Sequence, residues 1–498
     1  VNLAKLLEPL IKIDDKLHSF KIEGISINSK GVEQNTLFIA ISGESVNGHE
    51  FIEEAIRNGA VAIVGEKNLD ELGIERLEDA TFMKGKIGPN ELSEYSIPYI
   101  QVENSRKALA KIACQFYGNP TKNKTVIGIT GTNGKTTTSF MLKKILEDAG
   151  NTCTLFGSIH NEVNGQVTPS INTTPDALEL QNRLAQSNDD FVILEVSSHG
   201  ISQHRIEGIE FDYCLFTNLD HEHLDYHHDM EDYFNVKTTL FEQLKPTGKA
   251  IINGFDLWGT KLSKQLIADN KQVILLGQNV QLKEWHSCFG KLTSFDGDDI
   301  DLHLQVLGKH NILNASMALL TARELGITKE SIVQSLLQFS GVPGRFEILT
   351  HPKGAKIVID YAHTHDAFSQ CLQTIKEQGA KRIFHIFGFR GNRDQTKRQP
   401  MVEISKELCD LTLLTLDDLN GTTKESMEQT LHELHGAVIL DRTIAIKQVL
   451  ELANEGDWVC ITGKGHETYK EKFQYPTATD KETVDFFTKD FNKNNNYQ

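Results

Sequence analysis

The sequence predicts an α/β protein of three units: a small N-terminal α/β domain, a central parallel sheet carrying a P-loop, and a C-terminal Rossmann-like doubly wound sheet. Three observations predict it. Short apolar runs alternate with helical stretches along most of the 498 residues, the pattern of a parallel sheet wrapped by helices. A Gly-rich turn, GTNGKTT, directly follows one of those runs. The chain is also too long for one ordinary core, so several domains are expected. The expected boundaries are 1–104, 105–340 and 341–498.

The N-terminal unit begins with two short buried strands, TLFIAI (36–41) and AVAIVG (60–65), separated by a helical FIEEAIRNG. SIPYIQV (96–102) closes it as a third, and the polar, Gly-containing stretch 84–95 before it reads as a surface loop. The second unit opens with the amphipathic RKALAKIACQFYG, punctuated by Asn119-Pro120. TVIGIT (125–130) is a buried strand that runs into the Gly-rich turn and a helix ending near Gly150. FVILEVSS (191–198), DYCLFTNL (212–219) and KAIING (249–254) are further buried strands. Beyond GVPG at 341–344 the alternation repeats in KIVIDYA (356–362), RIFHIFG (382–388), LTLLTL (411–416) and WVCITG (458–463). The polar tail DFNKNNNYQ is expected to fray.

Composition narrows the function classes. Hydrophobic residues make up 39% and charged residues 24%, an ordinary globular balance. The net charge of -17 repels a phosphate backbone, so nucleic acid is not an expected partner. Nucleotides remain compatible, because backbone amides and a lysine can hold them. Seven cysteines, an odd number without a C-x-x-C pair, read as free thiols in a reducing compartment. No apolar run approaches the roughly 18 residues of a membrane helix, and VNLAKLLEPL lacks a signal-peptide pattern. The expectation is a cytoplasmic protein with small-molecule partners and no membrane.

Gly131, Thr132, Asn133, Gly134, Lys135, Thr136 and Thr137 sit between a buried strand and a helix. Backbone amides of such a turn, with the helix N-terminus, make an anion cradle. Lys135 is placed to reach the β- and γ-phosphates of ATP, and the Thr136 hydroxyl to ligate Mg2+. Ile129 stands where the P-loop pattern has its first Gly, so a plain strand–helix turn is the alternative. Glu195 ends a buried strand, where a carboxylate faces the crevice; it could hold a second magnesium or position water, although a solvated strand-end Glu is the commoner case. NLDHEHLDYHHD (218–229) combines imidazoles and carboxylates suited to magnesium or manganese, or forms a polar surface loop. Lys237 lies in a helical run and would normally be solvated. GFRGNRDQTKR (388–398) reads as a carboxylate- or phosphate-binding loop or a basic surface loop, and GKGHE (463–467) ends another strand.

In order, ITGTNGKTT, NTTPDA, LEVSSHG, FTNLDHEHLDYH, YFNVKTTLF, GKHNILNA, GVPGRFE, DYAHTHDA, FGFRGNRD and ITGKGHE resemble the blocks of the Mur ligase family, in particular its UDP-N-acetylmuramoyl-tripeptide synthetases. The likeness spans about 24–482. It implies UDP-, ATP- and amino-acid-binding domains, and ATP-dependent joining of an amino acid such as L-lysine or meso-diaminopimelate to UDP-MurNAc-L-Ala-D-Glu. Carried residue by residue, it implies uridine contacts at Ser29 and the turn 44–46. On the muramoyl-peptide side it implies Asn172, Thr173, Thr174, Ser197, Gln203 and Arg205. Magnesium falls to Thr136, Glu195 and His223, with Lys237 as a carbamylated metal-binding lysine. Adenosine falls to Asn311, Arg345 and Asp360, and the amino acid to Arg393, Gly463 and Glu467. A catalytic set of Lys135, Glu195, His223 and Lys237 follows.

Three departures stand out. Glu222 replaces a common Asp before His223, and His365 replaces a common Pro. At the amino-acid block, members that add meso-diaminopimelate carry Asp-Asn-Pro-Arg, whereas this chain has Asp417, Asp418, Leu419 and Asn420. Without the Arg, and with two carboxylates beside the site, L-lysine or another diamino acid is the expected amine. The competing readings are a paralogue acting on another acid, of secondary-metabolite or polyglutamate type, and a non-catalytic nucleotide-binding scaffold. The intact Lys135, Glu195, His223 and Lys237 speak against the scaffold.

Overall fold

The computed structural model describes residues 1–498 except 44–45, 73–74, 77–81, 88–92, 294–298 and 495–498. Its helices and mainly parallel sheets form several α/β layers. In the N-terminal region, six strands run in one sheet with Ala60–Gly65 and Ser93–Gln101 at its centre and Thr36–Ile39 beside Ala60–Gly65. The stretch expected as a surface loop differs: Phe82–Ile87 and Ser93–Gln101 pair as antiparallel strands. The strand expected at 96–102 thus begins earlier, and its partner Phe82–Ile87, interrupted by Lys84, Gly85 and Lys86, is set by pairing rather than by a clear period.

The central sheet has eight strands. Its middle is β1 (Thr125–Thr130), which leads through the Gly-rich turn into α1 (Lys135–Asp148). β2 (Phe191–Glu195) and β3 (Phe211–Phe216) flank β1, both in parallel register. These strands are buried on both faces, which is why they read as continuous apolar runs rather than alternating ones. One core packs α1 and a helix at Lys309–Glu324 onto one face; the other is built on Phe211, Phe216, Phe234 and Phe241. α2 (Met230–Thr238) follows the His-rich loop.

The sequence reading missed several elements. Cys153–Phe156 is a four-residue parallel neighbour of β2. An antiparallel sheet of Gln281–Trp285, Phe289–Thr293 and Asp299–His303 lays its alternating buried residues over the Lys309–Glu324 helix. Its Gly290 is obligatory, because a Cβ there would lie 2.5 Å from an Ile312 methyl.

The C-terminal sheet has six strands. β4 (Lys356–Asp360), β5 (Ile383–Phe387), β6 (Leu411–Leu414) and β7 (Trp458–Thr462) are its parallel centre, in the order β4, β7, β5, β6. α3 (His365–Glu377) follows β4, and α4 (Arg398–Leu408) follows β5. His365 is the first helical residue of α3, where the fixed φ of a Pro also fits. The tail is more ordered than expected, since a helix extends over Asp480–Asn494. The seven cysteines are free, and Cys371 and Cys460 touch at 3.5 Å inside the C-terminal core. Among the described residues no helix is long and apolar enough to cross a membrane.

Candidate active site

A cavity of about 540 Å³ opens where the carboxyl ends of the central and C-terminal strands meet. The turn after β1 forms its floor. Gly131 and Gly134 hold φ of 144° and 86°, which only glycine adopts readily. A Cβ on Gly131 would stand 1.9 Å from the Thr217 hydroxyl, and one on Gly134 2.3 Å from Asn314 Oδ1. The turn is therefore fixed against the end of β3 and the Lys309–Glu324 helix. Gly134 caps α1 without a side chain, so the helix's first amides face the cavity. Lys135 Nζ folds back onto the carbonyls of Gly131 (2.9 Å) and Thr132 (3.0 Å). Burial lowers its pKa to about 8, against the opposing pull of Glu195.

Glu195 is fully buried at the end of β2. Its oxygens accept from the hydroxyls of Thr136 (2.8 Å), Ser158 (3.2 Å) and Ser139 (3.4 Å), and from the Ser158 amide (3.3 Å). All these donors are neutral, and a buried carboxylate without a direct cationic partner is costly. That donor set fits a divalent cation at Thr136 and Glu195. Ser158 went unnoticed in the sequence because it follows a strand of only four residues, Cys153–Phe156.

Lys237 overturns the expectation of a solvated helix lysine. It is 1% exposed, its Nζ donates to Gly131 O at 3.0 Å, and it lies 4.7 Å over the Tyr233 ring. Burial, followed by the nearby Lys135 charge, pushes its pKa well below the ordinary lysine value. His223 lines the cavity with φ of 58°, and burial and the neighbouring His199 hold its imidazole neutral. A neutral imidazole is the form that binds metal.

The rest of the His-rich loop does not gather around a metal. His227 meets Ser198 (2.9 Å), His221 meets Asp394 (3.0 Å), Asp225 meets Arg393 (3.1 Å) and Glu222 meets Lys397 (2.8 Å). Among the described residues, no group of three or more His, Cys, Asp or Glu side chains is arranged to hold a metal ion. The loop's charges diverge because each is claimed by a different neighbour.

Asn311, Arg345 and Asp360 all line the cavity. Arg345 stacks 4.1 Å above Tyr361 and its Nη2 lies 3.4 Å from Thr136 Oγ1, which brings the C-terminal unit onto the P-loop. Burial raises the Asp360 pKa, while Phe346 N donates to its carboxylate at 2.6 Å. Thr132, Asn133, Gly134, Lys135, Thr136, Thr137, Thr173 and Ser197 complete the sequence-derived lining.

Apart from Asn172, the muramoyl-side candidates form one network beside it. Thr174 Oγ1 accepts from Ser197 N (3.0 Å) and donates to Glu195 O (2.9 Å), and Arg205 donates to Thr174 O (2.6 Å) and Gln203 (2.7 Å). Asn172 is exposed, and Thr173 pairs with Ser158 at 3.0 Å. Ser29 lies in the N-terminal sheet region, its hydroxyl bound to Glu54. In the turn 44–46, Glu44 and Ser45 lie outside the described residues.

The amino-acid candidates collect at the ends of β5, β6 and β7. Glu467 pairs with Arg390. Gly463 has φ of 102° and packs near Asp417. The expected charge of Asp417 and Asp418 needs correcting. Both are buried, Lys464 meets both, Lys470 adds to Asp418 at 3.3 Å, and the chain segment that carries Lys464 was read only as GKGHE. Burial works against ionisation of Asp417, yet Lys464 and two arginines lower its pKa to about 2. The pair is thus neutralised internally and presents no free anion to an amine. Asn420 is exposed at φ of 45° and bonds Gly391 O at 3.3 Å. Arg442 does not substitute for the missing Arg: it is fully buried, bound to Asp480 (2.7 and 2.8 Å) and Thr462 O (2.8 Å).

Comparison with known proteins bears on this site as a whole. Three family models match: Mur ligase family, catalytic domain, over 21–117; Mur ligase middle domain over 129–322; and Mur ligase, glutamate ligase domain, over 344–465. The chain is 34% identical to a UDP-N-acetylmuramoyl-L-alanyl-D-glutamate--2,6-diaminopimelate ligase of Fusobacterium nucleatum, over 90% of each. It is 35% identical to the protein of the same name from Clostridium tetani, over 94% of this chain and 95% of the relative. A solved structure of a UDP-N-acetylmuramoyl-L-alanyl-D-glutamate--2,6-diaminopimelate ligase superimposes with a TM-score of 0.67 at 26% identity, covering 99% of both chains. The MurF ligase of Thermotoga maritima in complex with ADP shares the fold, with a TM-score of 0.62 at 21% identity over 94% of this chain and 98% of that one.

Proposed function

The chain belongs to the Mur ligase family, and from that premise we propose that it joins a diamino acid to UDP-MurNAc-L-Ala-D-Glu at the expense of ATP. In this reading 1–104 binds the uridine nucleotide, 105–340 binds ATP and 341–498 binds the amino acid. The observation that carries it is one cavity lined by Lys135, Thr136, His223, Arg345 and Asp360, with Glu195 bonded to Thr136 and Lys237 buried behind it against the Gly131 carbonyl.

A carboxylate is a poor acyl donor, so its oxygen must first be phosphorylated. The D-Glu carboxylate oxygen attacks the γ-phosphorus, the bond to the β–γ bridging oxygen breaks, and ADP leaves. The amine nitrogen then attacks the acyl carbon, the tetrahedral intermediate loses phosphate, and a proton is released. Amides of the Gly-rich turn and Lys135 hold the phosphates, and their preorganised positive charge favours the more anionic transition state. Magnesium, held by Thr136, Glu195 and His223, would supply further neutralisation of the phosphate oxygens. Lys237 suits carbamylation, because its burial keeps the amine neutral; its lone pair adds to carbon dioxide with loss of one proton, and the resulting anion is a metal ligand. Thr174, Ser197, Gln203 and Arg205 hold the peptidyl arm.

The relatives are named for 2,6-diaminopimelate. Asn420 favours a different amine, because no guanidinium stands at that position to receive a distal carboxylate, and Arg442 is committed to Asp480. L-lysine is therefore the preferred amine in this proposal. The test is phosphate release: it should require the UDP-linked acid, a diamino acid and magnesium together. Vigorous ATP hydrolysis without the acid would identify an NTPase instead, and inertness towards this acid with turnover on another would identify a paralogue.

A further inference from the structure

Three ion pairs cross from the His-rich loop to the loop between β5 and α4. His221–Asp394 and Asp225–Arg393 each have one side chain nearly half exposed, so solvent screens them. The third is different. The Lys397 side chain is 12% exposed and that of Glu222 8%. Lys397 Nζ meets both Glu222 oxygens, at 2.8 and 3.0 Å, and donates to the His363 carbonyl at 3.0 Å. An ammonium has three donors, and each has an acceptor here.

Lys397 is poorly placed for its own helix. It is the N-cap of α4, makes no capping bond, and is followed by Arg398 with no acid in the first turn. A helix N-terminus is partially positive, disfavours cations and prefers Ser, Thr, Asp or Asn at the cap. Its side chain serves the contact across the boundary instead. That contact links two parts of the cavity: Glu222 precedes His223, and His363 follows Asp360 by three residues, all four lining it. Glu222 is also one methylene longer than the Asp common in the family, which lengthens its reach.

We propose that Lys397 is a positioning residue for the ligase reaction. Its ammonium clamps the Glu222 carboxylate to the His363 carbonyl, so that the loop carrying His223 and the strand end carrying Asp360 close on the same nucleotide. Lys397 touches no reacting atom and acts through those two partners. The inference rests on the ligase reading for its kinetic readout only.

The test compares wild type with K397M, K397R, E222Q and the K397M/E222Q double variant. If the clamp biases a closed, reactive population, K397M lowers kcat by about tenfold or more. The KM for the UDP-linked acid, held mainly by other units, should change by less than about twofold, and K397R should recover most of kcat. The double variant should be no worse than K397M within about threefold, since both changes break one contact. Small-angle scattering with magnesium and a non-hydrolysable ATP analogue should show K397M more extended than wild type. A K397M enzyme with unaltered kcat and a scattering curve superimposable on wild type overturns the clamp, even if its melting temperature falls. Losses that multiply in the double variant do so as well. If wild type itself does not use the UDP-linked acid, the ligase reading fails, and the scattering comparison still decides the clamp.

Discussion

Replacing Asn420 by Arg should move amine preference toward meso-diaminopimelate. L-lysine and diaminopimelate differ by a carboxylate at the far end of the side chain, and a guanidinium grips a carboxylate with two parallel N–H groups. Hydrogen bonds to charged groups contribute about 1.5–3 kcal/mol, so the ratio of specificity constants should shift by roughly tenfold to a hundredfold. The structure also sets a cost. Asn420 has φ of 45°, a region in which Arg is disfavoured by about 1–2 kcal/mol. Its 3.3 Å bond to Gly391 O is long, so losing it adds little. These terms lower the variant's stability but act equally on both amines, and the ratio of kcat/KM for the two measured on the same protein cancels them. Lys464 and Lys470 already pair with Asp417 and Asp418, so the new guanidinium meets no unpaired carboxylate there to draw it away. A folded N420R enzyme whose ratio stays within about twofold of wild type would refute the argument. So would a wild type that already prefers diaminopimelate by tenfold or more, because another cation would then be holding the distal carboxylate.

K135M should abolish turnover while thermal unfolding moves little, because Lys135 makes only two bonds to its own loop; wild-type rates in that variant would remove the phosphate assignment. K237A should lose about a hundredfold or more in kcat, with partial recovery in a short carboxylic acid that fills the space of the carbamate. R442M should cost about 3–5 kcal/mol in urea unfolding, since it leaves the fully buried Asp480 without its cation; a loss below about 1 kcal/mol would mean that the carboxyl is neutral. Asp417 has a folded pKa of about 2, lowered from its unfolded value. Its stabilisation is therefore complete above the unfolded pKa of about 3.9 and is lost as pH falls through about 2. D417N should flatten the acid limb of the stability curve between those values, and an unchanged limb would contradict the pairing with Lys464.

What could be read from the letters was local. The apolar runs buried on both faces of β1, β2, β4, β5 and β7 announce parallel strands, and the Gly-rich turn is legible because its glycines answer to backbone requirements inside a seven-residue segment. Lys237 was not legible. Its burial comes from the Gly131 carbonyl, 106 positions away in sequence, and a lysine on a helix carries no mark of that. The same holds for Lys464, whose two carboxylate partners make Asp417 and Asp418 an internal ion cluster rather than an open anionic wall. Cys153–Phe156 is too short to show a period, and the hairpin formed by Phe82–Ile87 and Ser93–Gln101 depends on pairing rather than on pattern. The His-rich loop stayed open between a metal site and a polar loop for a related reason: density of ligand-type residues in sequence says nothing about convergence, and here several of its side chains turn to different partners.

The central claim is that ATP activates a substrate carboxylate as an acyl phosphate, and an oxygen label tests it most directly. The UDP-linked acid, labelled with ¹⁸O in its terminal carboxylate, is incubated with ATP, magnesium and L-lysine, and the released phosphate is analysed by mass spectrometry. When phosphate departs from the tetrahedral intermediate, it keeps the oxygen through which the carboxylate attacked phosphorus. The account predicts one labelled oxygen in each phosphate released, in step with amide formation. Amide formed alongside unlabelled phosphate would contradict it, because the carboxylate would then never have carried the phosphoryl group.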